Sequence, residues 1–261
     1  MLFPPPECVL GTEEALIAFA LLLVAALYSS VGHGGASGYL AVLSLTSFAT
    51  MDDVWLKQHV WCLNLIVAAI AFHHYQKAGY HIPRLTGLFV FASIPMAFVG
   101  GYLLVEGVIY DVLLSITLLW ASIRLFNLNS DSEDFSTEEP PFGQAVPAGA
   151  GIGLLSGIVG IGGGVFLSPL VLLKRWATPK AAAATAALFI WVNSAAALTG
   201  SYLSEGLFID SETIIPFGSS VLVGGFIGSR LGAEVAPERA VRLALAFVLV
   251  FAGARRFFAI L

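Results

Sequence analysis

The chain has 261 residues, 58% of them hydrophobic and only 11% charged, a balance that excludes a soluble globular surface and makes lipid the solvent. The net charge of −5 marks no cationic partner, because most carboxylates fall in two polar segments, around Glu7, Glu13 and Glu14 and between Asp131 and Glu139. The two cysteines, Cys8 and Cys62, form neither a disulfide framework nor a CxxC metal site, and neither a cofactor nor a nucleic-acid partner is implied.

In chain order, no basic residue precedes the first apolar stretch, so a signal-peptide n-region is missing and the first helix is expected to stay in the mature protein. Apolar runs follow at 15–28, 60–72 with its neighbours, 85–105, 108–125, 145–159 and 243–261; about 20 apolar residues span a bilayer. The expected fold is therefore an all-α polytopic membrane protein.

One pattern is written twice. Val31-Gly32-His33-Gly34-Gly35-Ala36 is answered by Val159-Gly160-Ile161-Gly162-Gly163-Gly164, Asn64 by Asn193, and Val99-Gly100-Gly101-Tyr102 by Val223-Gly224-Gly225-Phe226. These anchors define a first repeat at 1–126, an acidic polar linker at 127–144 and a second repeat at 145–261. The apolar stretches on both sides of each glycine cluster are about 15 residues, short of the roughly 20 that cross. Each cluster is thus expected to lie inside the protein, in a re-entrant or broken helical hairpin, where protein or a cavity covers the open backbone.

A hairpin plus three transmembrane helices per repeat makes the two repeats inverted. With the N-terminus outside, nine of the twelve Lys and Arg then fall in the cytoplasm, leaving Lys57, Arg255 and Arg256 outside. A plain eight-span arrangement splits them seven to five. Glu106, Asp111, Glu205, Asp210 and Glu212 also fall outside. His73, His74 and His81 are expected in a solvated cytoplasmic loop, and Arg230 is expected to snorkel.

Inverted repeats with discontinuous helices are the architecture of many secondary transporters. In each hairpin the second helix starts at a glycine cluster, directing its unpaired N–H groups and positive dipole end toward the centre. Two such ends suit an anion. The candidate substrate-binding residues are Gly32, His33, Gly34, Gly35, Ser37, Asn64, Gly160, Gly162, Gly163, Gly164 and Asn193, with Ser29, Ser30, Gln58 and Thr185 as weaker donors. His33 and His59 are candidates for proton coupling, because imidazole titrates near neutral pH. No Asp or Glu lies well inside a predicted span, which argues against a sodium or metal cage.

Structural readings stand beside these. Gly224, Gly228 and Gly232 have small-xxx-small spacing and are assigned to helix packing, and a membrane Asn serves as interhelical glue as readily as a ligand. Gly160–Gly164 lacks the strand and the Lys-Ser/Thr of a nucleotide loop. An intramembrane hydrolase pairing Ser156 with His33, and an anion channel of the same architecture, are the alternatives to a transporter.

The Val-Gly-x-Gly-Gly-Gly cluster followed by Leu167-Ser168-Pro169-Leu170, its first-half copy, and Ala184-Thr185-Ala186 resemble the TauE/SafE family of sulfite exporters over essentially the whole chain. The resemblance implies export of sulfite, an organosulfonate such as sulfoacetate, or a related organic anion across a bacterial inner membrane. It also implies that Gly32, Gly34, Gly35, Gly160, Gly162, Gly163, Gly164 and Pro169 lie at the functional centre. His33 and Ala36 depart from the family pattern, which leaves the substrate open; oligomeric state is also open.

Overall fold

The computed structural model describes residues 11–43, 45–103 and 138–237, together with 123, 239–241, 243, 244, 246, 247 and 250. The expected span 108–125 apart from residue 123, most of the linker 127–144, the greater part of 243–261, and Cys8, Glu106, Asp111, Arg255 and Arg256 lie outside the described residues. Eight α-helices have described bounds: α1 (Thr12–Ser29), α2 (Ala36–Leu43), α3 (Asp53–Lys77), α4 (Pro83–Leu103), α5 (Phe142–Val159), α6 (Gly164–Leu173), α7 (Pro179–Glu205) and α8 (Ser211–Arg230), the last continued by a π-turn, Leu231–Val235, with a short 3-10 turn at Ser47–Thr50. Among them α1, α3, α4, α5, α7 and the segment Ser211–Val235 are long and apolar enough to cross a membrane. The chain is a polytopic, all-helical membrane protein.

Lipid offers a backbone no hydrogen bonds, so apolar runs become helices, and polar residues at their ends set the boundaries. Asp52 Oδ1 accepts from Val54 N–H at 2.7 Å to start α3. Thr178 Oγ1 accepts from Ala181 N–H at 3.4 Å, with Pro179 in the first helical turn, to start α7. Asp210 caps α8 by accepting from Glu212 and Thr213 N–H.

Helix directions follow from the residues that touch. Gly149, Gly153 and Gly157 of α5 lie against Phe89, Ser93 and Ala97 of α4, so these two helices run parallel. Gly224 and Gly228 of α8, then Gly232 of the π-turn, lie in the same way against Leu22, Ala26 and Ser30 at the end of α1. α3 runs antiparallel to α7, with Gln58 bonded to Ser201 and Asn64 to Ser194. One end of the bundle, the first end, gathers the starts of α1, α3 and α8 and the ends of α4 and α7. The second end gathers the starts of α4, α5 and α7 and the ends of α3 and α8.

Both helical pairs at the glycine clusters turn back. Ser47 N–H, beyond α2, donates to Glu13 Oε1 at 3.0 Å, so the chain returns to where α1 began. Glu138 N–H, ahead of α5, donates to the Arg175 carbonyl beyond α6 at 3.0 Å. The arms are unequal, however. α1 and α5 have 18 residues each, whereas α2 has 8 and α6 has 10. Against four expected arms of about 15, α1 and α5 are longer because Thr12–Glu14 and Phe142–Gln144 extend them beyond the apolar stretch, and α2 and α6 are shorter. The returning arms stop where Thr46 Oγ1 turns back to the Leu43 carbonyl and where Lys174 and Arg175 follow α6.

Two local expectations need correction. His74 is buried within α3, its Nδ1 2.7 Å from Ser229 Oγ, because α3 continues to Lys77 and that turn packs on α8. His81 packs edge-on against Phe72 with ring centroids 4.9 Å apart, and its Nε2 is shielded rather than solvated. Arg230 has an exposed head, paired with Glu234 at 3.0 Å along the same helix.

The glycine seams bring backbones into direct contact, which drives membrane helix association in place of the hydrophobic effect. A Cβ at Gly153 would stand 2.6 Å from Ser93 Cα, whereas one at Gly151 would meet nothing within 4 Å. Gly153→Val is therefore expected to lower stability by about 1–3 kcal/mol through overpacking. Gly151→Ala should be neutral or stabilising by about 0.5–1 kcal/mol through reduced chain entropy. Unfolding of the purified variants in mixed detergent micelles measures both.

Candidate functional site

The first cluster begins as the end of α1 closes: Val31 N–H and His33 N–H both donate to the Tyr28 carbonyl, at 3.1 and 2.9 Å. Gly32 sits at φ +76° against the backbone of Ala183 on α7, where any Cβ would collide. Gly35 turns the chain into α2 against the ring of Tyr39, whose hydroxyl donates to the Gly34 carbonyl at 2.6 Å. That bond takes a backbone oxygen out of play beside the start of α2, where the first N–H groups have no partner within the helix. Ser37 Oγ lies 3.0 Å from Tyr28 Oη and joins the two arms of the hairpin.

In the second cluster Gly160, the left-handed cap of α5, is covered by the aliphatic stem of Lys57 on α3. Gly163 precedes α6 and faces Phe189, Ile152 and Ser156. Gly162 and Gly164 face inward to Ile190 of α7, and Gly164 also meets the His33 ring, so the second cluster touches the first.

Asn64 is where they converge. Its amide lies between Gly34, which faces Oδ1, and Gly162, whose Cβ would stand 2.8 Å from Nδ2. Nδ2 donates to Ser194 Oγ at 3.4 Å, while Oδ1 has no protein partner. His33 Nε2 is 2.9 Å from Ser168 Oγ on α6, and its Nδ1 is unpartnered. Asn193, one residue before Ser194 on α7, is wholly buried with neither amide atom bonded. Ser156 Oγ is buried and unpartnered as well. Burying an amide without partners costs roughly 1–3 kcal/mol, so this group of polar atoms is not explained by packing. Among the described residues no Asp or Glu is buried, so no buried carboxylate opposes the positive ends of the helix starts.

Several candidates lie elsewhere or are committed to other partners. Ser29 and Ser30 donate back to the carbonyls of Ala26 and Leu27 in their own helix. Thr185 accepts from Thr86 at 3.3 Å. Gln58 and His59 are at the first end, bonded to the connection between α7 and α8. Pro169 is buried within α6, next to Ser168. Ser168, Ser194 and Ile190 were missed as site residues; Ser168 lay inside the quoted Leu-Ser-Pro-Leu motif, but nothing in the spacing pairs it with His33. A surface recess of about 420 Å³, lined by Arg84, Glu139, Phe142 and Trp176, is at the second end and includes none of the convergent polar atoms.

Comparison with known proteins bears on the whole bundle. The profile of the family described as Sulfite exporter TauE/SafE matches residues 17–256. The chain is 32% identical over 248 residues to the "Probable membrane transporter protein y4hK" of Sinorhizobium fredii, an alignment covering 94% of this chain and 98% of that protein. No solved structure matches the chain at a significant level.

Gly162 gives the sharpest test of the convergence. Gly162→Ala forces a Cβ onto the Asn64 amide at φ +73°, and transport is expected to fall at least tenfold. Gly79→Ala has a similar φ of +84° but open space. It should cost about 1–2 kcal/mol of left-handed strain and leave transport per folded molecule intact. Flux in proteoliposomes, normalised to folded protein, separates the two.

Proposed function

Because the chain belongs to the TauE/SafE sulfite exporter family, we propose that this membrane transporter moves a small oxyanion by alternating access, with its site where the two glycine clusters meet. The substrate we assign is sulfite, an organosulfonate such as sulfoacetate, or a related organic anion. The observation that carries the reading is the Asn64 amide between Gly34 and Gly162, beside the starts of α2 and α6. Backbone N–H groups at a helix start, with no intervening Cβ, suit the several negative oxygens of such a ligand. Enclosure of His33, Asn64 and Asn193, each at most 1% exposed, favours alternating access over an open channel. An intramembrane hydrolase is set aside, since the family and the relative are transporters and His33 meets Ser168 rather than Ser156.

The proposed architecture is a pair of inverted halves, 1–126 and 145–261, joined by 127–144. Its support is the helix order: α1, α3 and α4 begin at the first, first and second ends, while α5, α7 and α8 begin at the second, second and first. Orientation follows from charge. Lys77, Arg84, Lys174, Arg175, Lys180 and Arg230 lie toward the second end, and of the described Lys and Arg residues in the helical bundle only Lys57 lies toward the first. We assign the second end to the cytoplasm.

Sulfite or sulfoacetate is expected to raise the melting temperature of the purified protein more than sulfate or acetate does, since a ligand selective for the native state stabilises it by mass action. The shift should vanish in Asn64→Ala and Asn193→Ala. No shift with any anion, with variants that are merely less stable, would reduce both residues to packing. Topology has its own check: an impermeant thiol reagent should label Ser47→Cys from outside intact cells and Glu138→Cys only after they are opened.

A further inference from the structure

The connection between α7 and α8, residues 206–210, is fastened to the first turns of α3. Gln58 Nε2 donates to the Gly206 carbonyl at 2.8 Å and to Ser201 Oγ at 3.0 Å, and its Oε1 accepts from Phe208 N–H at 2.7 Å. Beside it, His59 Nε2 accepts from Asp210 N–H at 3.0 Å, and Nδ1 donates to the Trp55 carbonyl at 2.8 Å. The ring is 2% exposed and stacked on Trp55, with centroids 3.6 Å apart.

These partners fix the chemistry of the ring. A backbone N–H can only donate and a carbonyl can only accept, so His59 is neutral with its proton on Nδ1. His33 differs, because the Ser168 hydroxyl can turn to suit either tautomer. A proton taken up at His59 Nε2 would set two N–H groups against each other and cost Asp210 its acceptor. The same turn of α3 carries Lys57, whose stem covers Gly160 of the second cluster, so the fastening adjoins that cluster.

We propose that His59 is a proton-operated latch: neutral, it holds the α7–α8 connection on α3 and closes the first end, and protonated, it releases residues 206–210 and opens the site to that end. The inference rests on the transporter reading and adds the proton as coupling ion. Of the groups around the ring, Asp210 faces it from the connection itself; its carboxyl is held below the ordinary range, first by the Thr213 hydroxyl, and so stays ionised as the ring titrates. Asp52, Asp53 and Lys57 are on the first turns of α3, Glu205 ends α7, Glu212 begins α8 and Glu13 begins α1, where it is bonded to Ser47 N–H. α2 contributes Tyr39, bonded to the Gly34 carbonyl.

Ser201, in the last turns of α7, is wholly buried under Gln58, whereas Leu207 on the connection is 56% exposed. With Cys8 and Cys62 replaced by Ser, labelling of Ser201→Cys by an impermeant maleimide is measured from pH 8 to pH 5, relative to Leu207→Cys so that thiol reactivity cancels. The ratio is expected to rise at least tenfold on acidification, and to stay flat when His59→Gln, which retains one donor and one acceptor, is added. A flat ratio with His59 intact overturns the latch whether or not the His59 variant folds, as does an equal rise in His59→Gln. Sulfite flux in the same proteoliposomes keeps the two readings apart. Flux with a flat ratio sinks only the latch, and a rising ratio without flux of sulfite or sulfoacetate sinks the substrate assignment.

Discussion

A peptide group surrounded by lipid has nothing to bond but its own helix. This constraint decides where α1 and α5 can end, since each break leaves backbone N–H and C=O groups that other parts of the protein must cover. At the first break, α7 comes close enough for the Ala183 backbone to lie on Gly32, and Tyr39 satisfies the Gly34 carbonyl. At the second, Lys57 covers Gly160 and Ile190 closes over Gly162 and Gly164. Glycine is required where a Cβ would separate these surfaces, and the same close approach leaves backbone N–H groups available to a ligand.

Shielding the breaks also seats polar side chains that packing alone would not choose. Asn64, Asn193, His33 and Ser156 are buried with open hydrogen-bonding capacity, an arrangement that is costly in a low-dielectric interior unless something else completes it. Polar side chains nearer the ends behave differently. Gln58 uses both amide atoms, and His74 and Thr86 each have a partner on another helix. Satisfied polar bonds of this kind lie nearer the ends, whereas the open atoms of Asn64, His33 and Ser156 lie beside the glycine clusters.

Much of this was legible in the residues. The two clusters stood out because glycine recurs at matched positions before apolar runs, and Asn64 and Asn193 because an amide is conspicuous in an apolar span. The Gly224, Gly228 and Gly232 seam follows from four-residue spacing. Its counterpart at Gly149, Gly153 and Gly157 has the same spacing, but there the hairpin-arm pattern masks it. Other features depend on distant segments meeting. Ser168 reaches His33 and Ser194 reaches Asn64 across more than a hundred residues. Hydropathy also counts apolar side chains but not capping bonds, so it underestimates α1 and α5, overestimates α2 and α6, and ends α3 before His74.

The two glycine seams bear on how the protein is made. α1 leaves the ribosome well before Gly224, Gly228 and Gly232, the glycines that lie against its backbone. α4 waits less long for α5. Until residue 232 is in the membrane, the face of α1 that carries Leu22 and Ala26 can be covered only by lipid, by the insertion machinery or by a chaperone. The first hairpin can close on its own bonds from Ser37 to Tyr28 and from Ser47 to Glu13, but its seating in the bundle waits for α8, and a chain truncated before α8 lacks the surface that seats it.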